Sequence, residues 1–166
     1  DSISDVVSKQ NWFSCSSPEK LEKIHQYEVN IAIYNRDIRD LSKEINQLLD
    51  GGIEISVSGI AKEILAYCTE MLVRAGCPML LKDIEELLLI FEKVSRAKDL
   101  KFLLAVRNTD LCRKFHTDMN DLRMLCTYRG PGTLWLAEDN IEREALNRSI
   151  DDNKDIALDK QRIQQI

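Results

Sequence analysis

The feature that most constrains this chain is a series of apolar helical faces between residues 38 and 97. Apolar side chains recur there at steps of three and four residues, the period of an α-helix with one buried face. Gly51-Gly52 interrupts the series once and Gly76 with Pro78 interrupts it again, because such residues end or begin helices. The pattern predicts three amphipathic helices, at about residues 38–49, 60–72 and 80–97.

Extended segments alternate with these helices and dominate the chain after residue 100. They are rich in β-branched or apolar residues and are bounded by polar residues and turns, which is typical of strands. The predicted strands are Val29–Tyr34, Ile53–Val57, Lys101–Val106, Leu122–Tyr128 and Thr133–Leu136. We also expect one helical turn within residues 141–147 and the start of a strand at residues 162–166.

Composition excludes several classes of protein. The 166 residues are 44% hydrophobic and 31% charged, with only 3 Pro and 6 Gly, which excludes disordered and collagen-like chains and predicts one globular domain. There is no apolar run of the roughly 18 residues that span a bilayer, and Asp1–Asp5 lacks the features of a signal peptide. We therefore expect a cytoplasmic protein without a membrane partner. The chain does not begin with Met, so we expect either end to be a processed or engineered boundary.

The charge distribution predicts no nucleic-acid partner. The net charge is -5, which disfavours a chain that coats phosphate backbones. From Lys101 to Leu136, however, six basic residues stand against three acidic ones. This local surplus suits a small anionic ligand, and a solvated charged face explains it equally well.

The five cysteines have irregular spacing without a CxxC pattern, which predicts reduced thiols rather than disulfides or a zinc finger. Cys68, on a predicted helical face, and Cys126, in a predicted strand, are expected to be small core side chains. A nucleophile built from Cys112 and His116 is an alternative, although the sequence identifies no third residue to orient it.

His116 and Asp118 form the pattern that is most relevant to chemistry. On extended backbone, residues two apart point to the same face, so an imidazole and a carboxylate can converge on one cation. Two such donors are part of the two-His-one-carboxylate triad of non-haem Fe(II) sites. Taken alone, the short pattern favours a loop histidine that is hydrogen-bonded to Asp118.

The surrounding residues add a resemblance. Phe115-His116-Thr117-Asp118, the segment Leu122–Arg129 and Gly130-Pro131-Gly132-Thr133-Leu134-Trp135-Leu136 resemble the signature of an uncharacterised bacterial family, a domain of unknown function. That family looks like a divergent branch of the 2-oxoglutarate and Fe(II)-dependent oxygenases. Met124 replaces a leucine of the signature.

The resemblance implies a function and a set of site residues. His116 and Asp118 would be the first two metal ligands of Fe(II), and 2-oxoglutarate would be the cosubstrate for hydroxylation of an unknown small-molecule or protein substrate. Arg123, Thr127 and Tyr128 would line the cosubstrate or substrate site. On a strand, however, residues 123 and 127 share one face and 128 lies on the other. Arg123 or Arg129 can bind a carboxylate in bidentate fashion, and each is equally explained as a surface ion pair.

The distal part of the superfamily pattern is absent. Its second histidine and its 2-oxoglutarate-binding arginine lie in a later segment resembling H-R-S-P, which this sequence lacks. His25 lies far upstream and aligns with no ligand position. We therefore expect a fragment or a natural truncation.

Pattern and resemblance together predict an α+β fold. A helical layer, residues 1–99, would pack on the beginning of an antiparallel double-stranded β-helix, a jelly-roll-like barrel that is incomplete. Within this single domain of residues 1–166, residues 100–136 would form the β core and 137–166 a charged, partly flexible tail. Trp135 is expected in the core.

Two alternatives from other classes stay open. One is a non-catalytic interaction module in which the His116–Asp118 pair is structural, and the other is a cupin-like metal protein without 2-oxoglutarate. An exposed strand edge near residues 122–128 or 133–136 also predicts a homodimer.

Overall fold

The structure is a computed structural model that describes residues 10–107, 114–117, 121–148, 153 and 155–166. The chain divides into two compact units. The first combines residues 1–35, 112–119 and 130–166, and the second combines residues 36–111 and 120–129. These units cut across the three predicted segments, because the first unit contains residues from both ends of the chain.

The first unit contains two small sheets. Strands β1 (Trp12–Cys15) and β2 (Ile31–Tyr34) pair in parallel, and a 3-10 helix at Pro18–His25 lies between them in the chain. Strands β5 (Leu134–Trp135) and β6 (Gln164–Gln165) pair antiparallel. Three further helical segments belong to this unit: the 3-10 helix Glu138–Asn140, helix α4 (Arg143–Leu146) and the 3-10 helix Lys160–Arg162.

A tryptophan pair lies within the first unit. The rings of Trp12 and Trp135 meet edge to face with centroids 5.3 Å apart. Trp135 is 8% exposed, which confirms its predicted place in the core. At the β5–β6 sheet, a Cβ on Gly132 would lie 1.4 Å from the backbone oxygen of Ile166, so only glycine allows this close approach.

The second unit is built from one continuous β-α-α-β run. Strand β3 (Ile55–Gly59) leads into helices α2 (Ala61–Arg74) and α3 (Pro78–Ser95), and strand β4 (Leu100–Leu104) returns to pair antiparallel with β3. A 3-10 turn (Arg39–Leu41) and helix α1 (Ser42–Gly51) precede this run. The three predicted helices are therefore confirmed, with boundaries shifted by a few residues.

The helices form where the sequence places apolar side chains on one face. In α2, residues at steps of three and four are buried, and they meet the buried face of α3. Gly52 ends α1 with φ +65° and Gly76 follows α2 with φ +72°, left-handed conformations that favour glycine. The buried core of this unit consists of Leu41, Ile45, Leu48, Ile55, Ala61, Ile64, Cys68, Leu72, Cys77, Leu80, Ile84, Leu88 and Leu100.

The predicted double-stranded β-helix is wrong. Among the described residues the strands pair only two by two, in three separate two-stranded sheets, and no barrel closes. The predicted strand at Leu122–Tyr128 is absent too, because residues 122–127 have no regular secondary structure. Backbone groups in a barrel must pair along both edges of each strand, whereas each described strand here has a partner on one edge.

Candidate functional site

His116 lies on a short described segment, residues 114–117, of the first unit. Its side chain is exposed, and its Nδ1 lies 3.0 Å from the backbone oxygen of Lys114. A carbonyl oxygen only accepts hydrogen bonds, so Nδ1 must carry the proton. In the neutral ring Nε2 then carries the lone pair, so Nε2 is the atom that a metal ion would bind.

The His116 segment is tied to the chain that follows α4. The backbone N–H of Phe115 donates to Oδ1 of Asn153 at 2.6 Å. The Lys114 ammonium donates to the backbone oxygen of Arg148. The two residues immediately before His116 are therefore both held by hydrogen bonds to residues more than thirty positions further on.

Asp118, the second predicted ligand, and Cys112, the predicted alternative nucleophile, lie outside the described residues. Within the described part of the chain, no three His, Cys, Asp or Glu side chains are grouped closely enough to hold a metal ion. Among the described residues, His116 thus offers one imidazole of the tautomer that a metal ligand needs, and no complete set of metal ligands is formed.

A second polar cluster lies in the second unit and joins three distant parts of the chain. The Arg36 guanidinium forms two hydrogen bonds with the Asp83 carboxylate, Nη1–Oδ1 at 2.6 Å and Nη2–Oδ2 at 3.0 Å. The Tyr128 hydroxyl donates to Oδ2 of Asp83 at 2.7 Å. Nη2 of Arg36 also lies 3.4 Å from Sγ of Cys126. We call these four residues the Asp83 cluster.

The electrostatics of the Asp83 cluster favour charged Arg36 and neutral Tyr128. Burial alone would lower the pKa of Arg36, but the hydrogen bond and the charge of Asp83 outweigh it and raise that pKa. Burial, and then the hydrogen bond to Asp83, raises the pKa of Tyr128 well above its usual range. Desolvation raises the pKa of the Cys126 thiol, although the positive charge of Arg36 opposes that effect. A raised thiol pKa is the opposite of what an activated nucleophile needs.

The structure locates the other predicted site residues individually. Arg123, Thr127 and Tyr128 belong to the second unit, whereas His116 belongs to the first. Arg123 and Thr127 are exposed, while the hydroxyl of Tyr128 is engaged by Asp83. Arg129 donates to Oδ1 of Asn46 at 2.7 Å. The assignment of these residues to a cosubstrate site stays a prediction.

A surface depression of about 290 Å³ adjoins Asp83. Its lining is formed by Asp37, Ile38, Asp40, Leu41, Met79, Lys82, Asp83 and Glu86. Two of these carboxylates are already paired with arginines, Asp83 with Arg36 and Asp37 with Arg39. The hydrogen bonds from Arg39 lower the pKa of Asp37 to about 2.

Several residues of these two hydrogen-bonded groups carry no recognisable sequence signal. Arg36 appears as part of a polar stretch after β2, and Asp83 as one of several acidic residues on α3. Asn153 lies in a charged stretch with no motif. The predicted core role of Cys126 is wrong, because the residue is exposed, whereas that of Cys68 is confirmed by complete burial. The four described cysteines are free thiols.

The chain is thus a mixed helix-and-strand protein with a hydrogen-bonded histidine segment in one unit and a partly buried Arg–Asp–Tyr network in the other. The model of the family described as "Protein of unknown function (DUF1826)" matches residues 15–166. The chain therefore belongs to this family, which confirms the prediction of a family of unknown function. No curated protein and no solved structure matches the chain. Across the described part of the chain, every helix is too short or too polar to span a bilayer.

Proposed function

We propose that this chain is a divalent-metal-binding protein of the non-haem Fe(II) type, with His116 and Asp118 as metal ligands. The observation that carries the proposal is the hydrogen bond from Nδ1 of His116 to the backbone oxygen of Lys114. It selects the tautomer in which Nε2 is the metal-binding atom, and ligand histidines commonly donate their other ring nitrogen in this way.

The sequence supports a second donor beside this imidazole. Asp118 follows His116 at the spacing that puts two side chains on one face of extended backbone. A carboxylate and an imidazole are the mixed donors of facial-triad Fe(II) sites. The described residues do not supply the remaining ligand, so the proposal is one of metal binding, and no chemical step is derived through the metal.

The resemblance adds 2-oxoglutarate to the proposal. In that class the cosubstrate supplies two metal ligands, and the chemistry is hydroxylation of a substrate that the sequence does not identify. Arg123 and Thr127 are proposed contacts for it, and both side chains are exposed. Tyr128, by contrast, would have to break its hydrogen bond to Asp83 before its hydroxyl could contact a ligand.

Linkage between metal binding and stability tests the proposal. The melting temperature is measured without oxygen during a titration with Mn(II), which substitutes for Fe(II), with and without 2-oxoglutarate. A ligand that binds the folded state at 100 times its Kd stabilises it by about 2.7 kcal/mol. We expect stabilisation of the wild type and none in His116→Ala or Asp118→Ala. His25→Ala, which changes the other histidine, is the matched control and should respond like the wild type.

The outcomes separate the candidate functions. Absence of any metal-linked shift in the wild type would contradict the proposal. An equal shift in His116→Ala would show that the metal binds elsewhere. A metal shift that 2-oxoglutarate does not deepen would favour the cupin-like alternative over the oxygenase type.

A second candidate is a non-catalytic interaction module. It is favoured by residues 122–127, which lack regular secondary structure in the described chain and expose Leu125 by 44%. An exposed leucine in a segment outside the sheets favours packing against a second copy of the chain. If so, light scattering should show a dimer for the wild type and a monomer for Leu125→Glu. Leu49→Glu, at a leucine of α1 that is 37% exposed, is the control and should stay dimeric. A monomeric wild type would exclude this homodimer.

A further inference from the structure

We infer that Asn153 is a positioning residue that holds the His116 segment in its metal-binding conformation. Its Oδ1 accepts the backbone N–H of Phe115 at 2.6 Å, immediately before His116. The ring of His116 in turn donates to Lys114, immediately before Phe115. The Asn153 side chain thus anchors the middle residue of the Lys114–His116 segment, in which the histidine tautomer is selected, while Lys114 is held separately by its hydrogen bond to Arg148.

Asn153 is itself hydrogen-bonded to a buried part of the first unit. Its backbone oxygen accepts the N–H of Ile156 at 3.3 Å, and the Ile156 side chain is fully buried. The backbone oxygen of Ile156 then accepts the N–H of Glu142 at 2.8 Å. A buried side chain and two backbone hydrogen bonds therefore fix the turn that presents Asn153.

A buried amide reinforces this arrangement. Asn140 is fully buried, and its side chain forms two hydrogen bonds with the backbone of Asp159, one from Nδ2 at 3.0 Å and one to Oδ1 at 2.7 Å. The backbone oxygen of Asn140 also accepts the N–H of Leu158. A buried amide with both polar atoms satisfied restricts the backbone that it bridges. Residues 155–159 are thereby fixed to the stretch around α4, and Asn153 lies two positions before Asp155.

The consequence for function is preorganisation. A ligand histidine that is held before the metal arrives loses less conformational entropy on binding, and loss of such supporting hydrogen bonds commonly weakens metal affinity by about 10- to 100-fold. This consequence rests on the proposed function, whereas the effect on the histidine tautomer does not.

The test therefore has a metal-free arm. Long-range ¹H–¹⁵N NMR of the imidazoles at about pH 8, above the ordinary pKa of histidine, reports which ring nitrogen carries the proton. His116→Ala assigns the signals. We expect the Nδ1–H form for His116 in the wild type, a tautomer mixture in Asn153→Ala, and the wild-type form in Asn153→Asp, which retains an acceptor oxygen. Asn30→Ala, at an exposed asparagine of the same unit, is the matched control.

The second arm measures the Kd of Mn(II) for the wild type, Asn153→Ala and Asn30→Ala. We expect Asn153→Ala to bind about 10- to 100-fold more weakly and Asn30→Ala to bind like the wild type. An unchanged tautomer in folded Asn153→Ala would overturn the inference, and so would an unchanged Kd. A wild type that binds no Mn(II) but shows the expected tautomer change would contradict the proposed function alone and would support the positioning role.

Discussion

Tyr128 belongs to the signature segment and packs and forms a hydrogen bond within the second unit. The resemblance places it at a cosubstrate site, but its hydroxyl donates to Asp83 and its ring packs against the core of the second unit. A hydrogen bond from a neutral phenol to a carboxylate stabilises the folded state only while the phenol keeps its proton. Burial and Asp83 raise the pKa of Tyr128 above its ordinary value of 10.0.

The pH dependence of stability follows from that shift. A group with a raised folded-state pKa contributes its full stability below the unfolded pKa, here about 10, and loses it as pH rises through the folded-state value. We expect Tyr128→Phe to be about 1 to 3 kcal/mol less stable than the wild type at pH 7 and the difference to shrink above pH 10. Urea unfolding across this pH range measures the effect. Tyr67→Phe, at an exposed tyrosine on α2, should show no such trend.

Asp83 supports a second residue-level prediction. It and Arg36 have side chains only 14% and 15% exposed, so removal of one partner leaves the other largely desolvated and unpaired. We expect Asp83→Ala to lower the unfolding free energy by about 3 to 5 kcal/mol. The double variant that carries both Arg36→Met and Asp83→Leu should lower it by less, because it leaves no unpaired charge. A double-mutant cycle by denaturant unfolding measures this non-additivity. Strict additivity would contradict coupling across the pair, and Asp37→Ala, in an exposed pair with Arg39, should change stability little.

Among the secondary-structure elements, helix α1 provides hydrogen-bond acceptors for the N-terminus of helix α3. The first turn of α3 leaves backbone N–H groups without partners inside the helix. Glu44 of α1 accepts two of them, from Met79 at 3.1 Å and from Leu80 at 2.7 Å. Glu44 as a residue is only 8% exposed, and its negative charge suits the positive end of the helix dipole.

This contact predicts a stability change for Glu44. Glu44→Ala removes both acceptors and should cost about 1 to 3 kcal/mol, while Glu44→Gln keeps one acceptor oxygen and should cost less. Thermal unfolding followed by circular dichroism tests this order. Glu85→Ala, at an exposed glutamate within α3, should be close to the wild type. Equal stability of Glu44→Ala and wild type would mean that the cap contributes nothing.

At the scale of the whole molecule, the two units can be followed by different probes. Both tryptophans, Trp12 and Trp135, belong to the first unit, whereas α1, α2 and α3 belong to the second. Tryptophan fluorescence therefore reports on the first unit and most of the helical circular dichroism on the second.

Ile64 allows the units to be tested for independence. It is fully buried in the core of the second unit, so Ile64→Ala should cost about 2 to 5 kcal/mol there. Because each unit has buried residues of its own, we expect the circular-dichroism transition to move to lower denaturant by more than the fluorescence transition. Lys62→Ala, an exposed change on the same helix, is the control. Transitions that move together would show that the chain unfolds as one cooperative domain.

The helices, the strands that border them and the family can all be predicted from the amino-acid sequence alone. Periodicity at steps of three and four residues specifies which face of α2 and α3 is buried, and Gly52 and Gly76 specify where helices end. These signals are local, so they can be read without knowing what the elements contact. The double-stranded β-helix, by contrast, depended on strand partners, which a pattern of apolar residues does not specify.

Contacts between residues that are far apart in the sequence depend on the three-dimensional fold. Arg36, Asp83 and Tyr128 are separated by more than forty residues from one another, and Asn153 lies 38 residues from Phe115, so no local spacing predicts either contact. The pair His116 and Asp118 is visible in the sequence because its members are neighbours, and the hydrogen bond between His116 and Lys114 is equally local. The hydrogen bond from Phe115 to Asn153, by contrast, exists only because the fold brings these residues together. Short-range periodicity thus specified the elements, and long-range packing and hydrogen bonding specified which distant side chains meet.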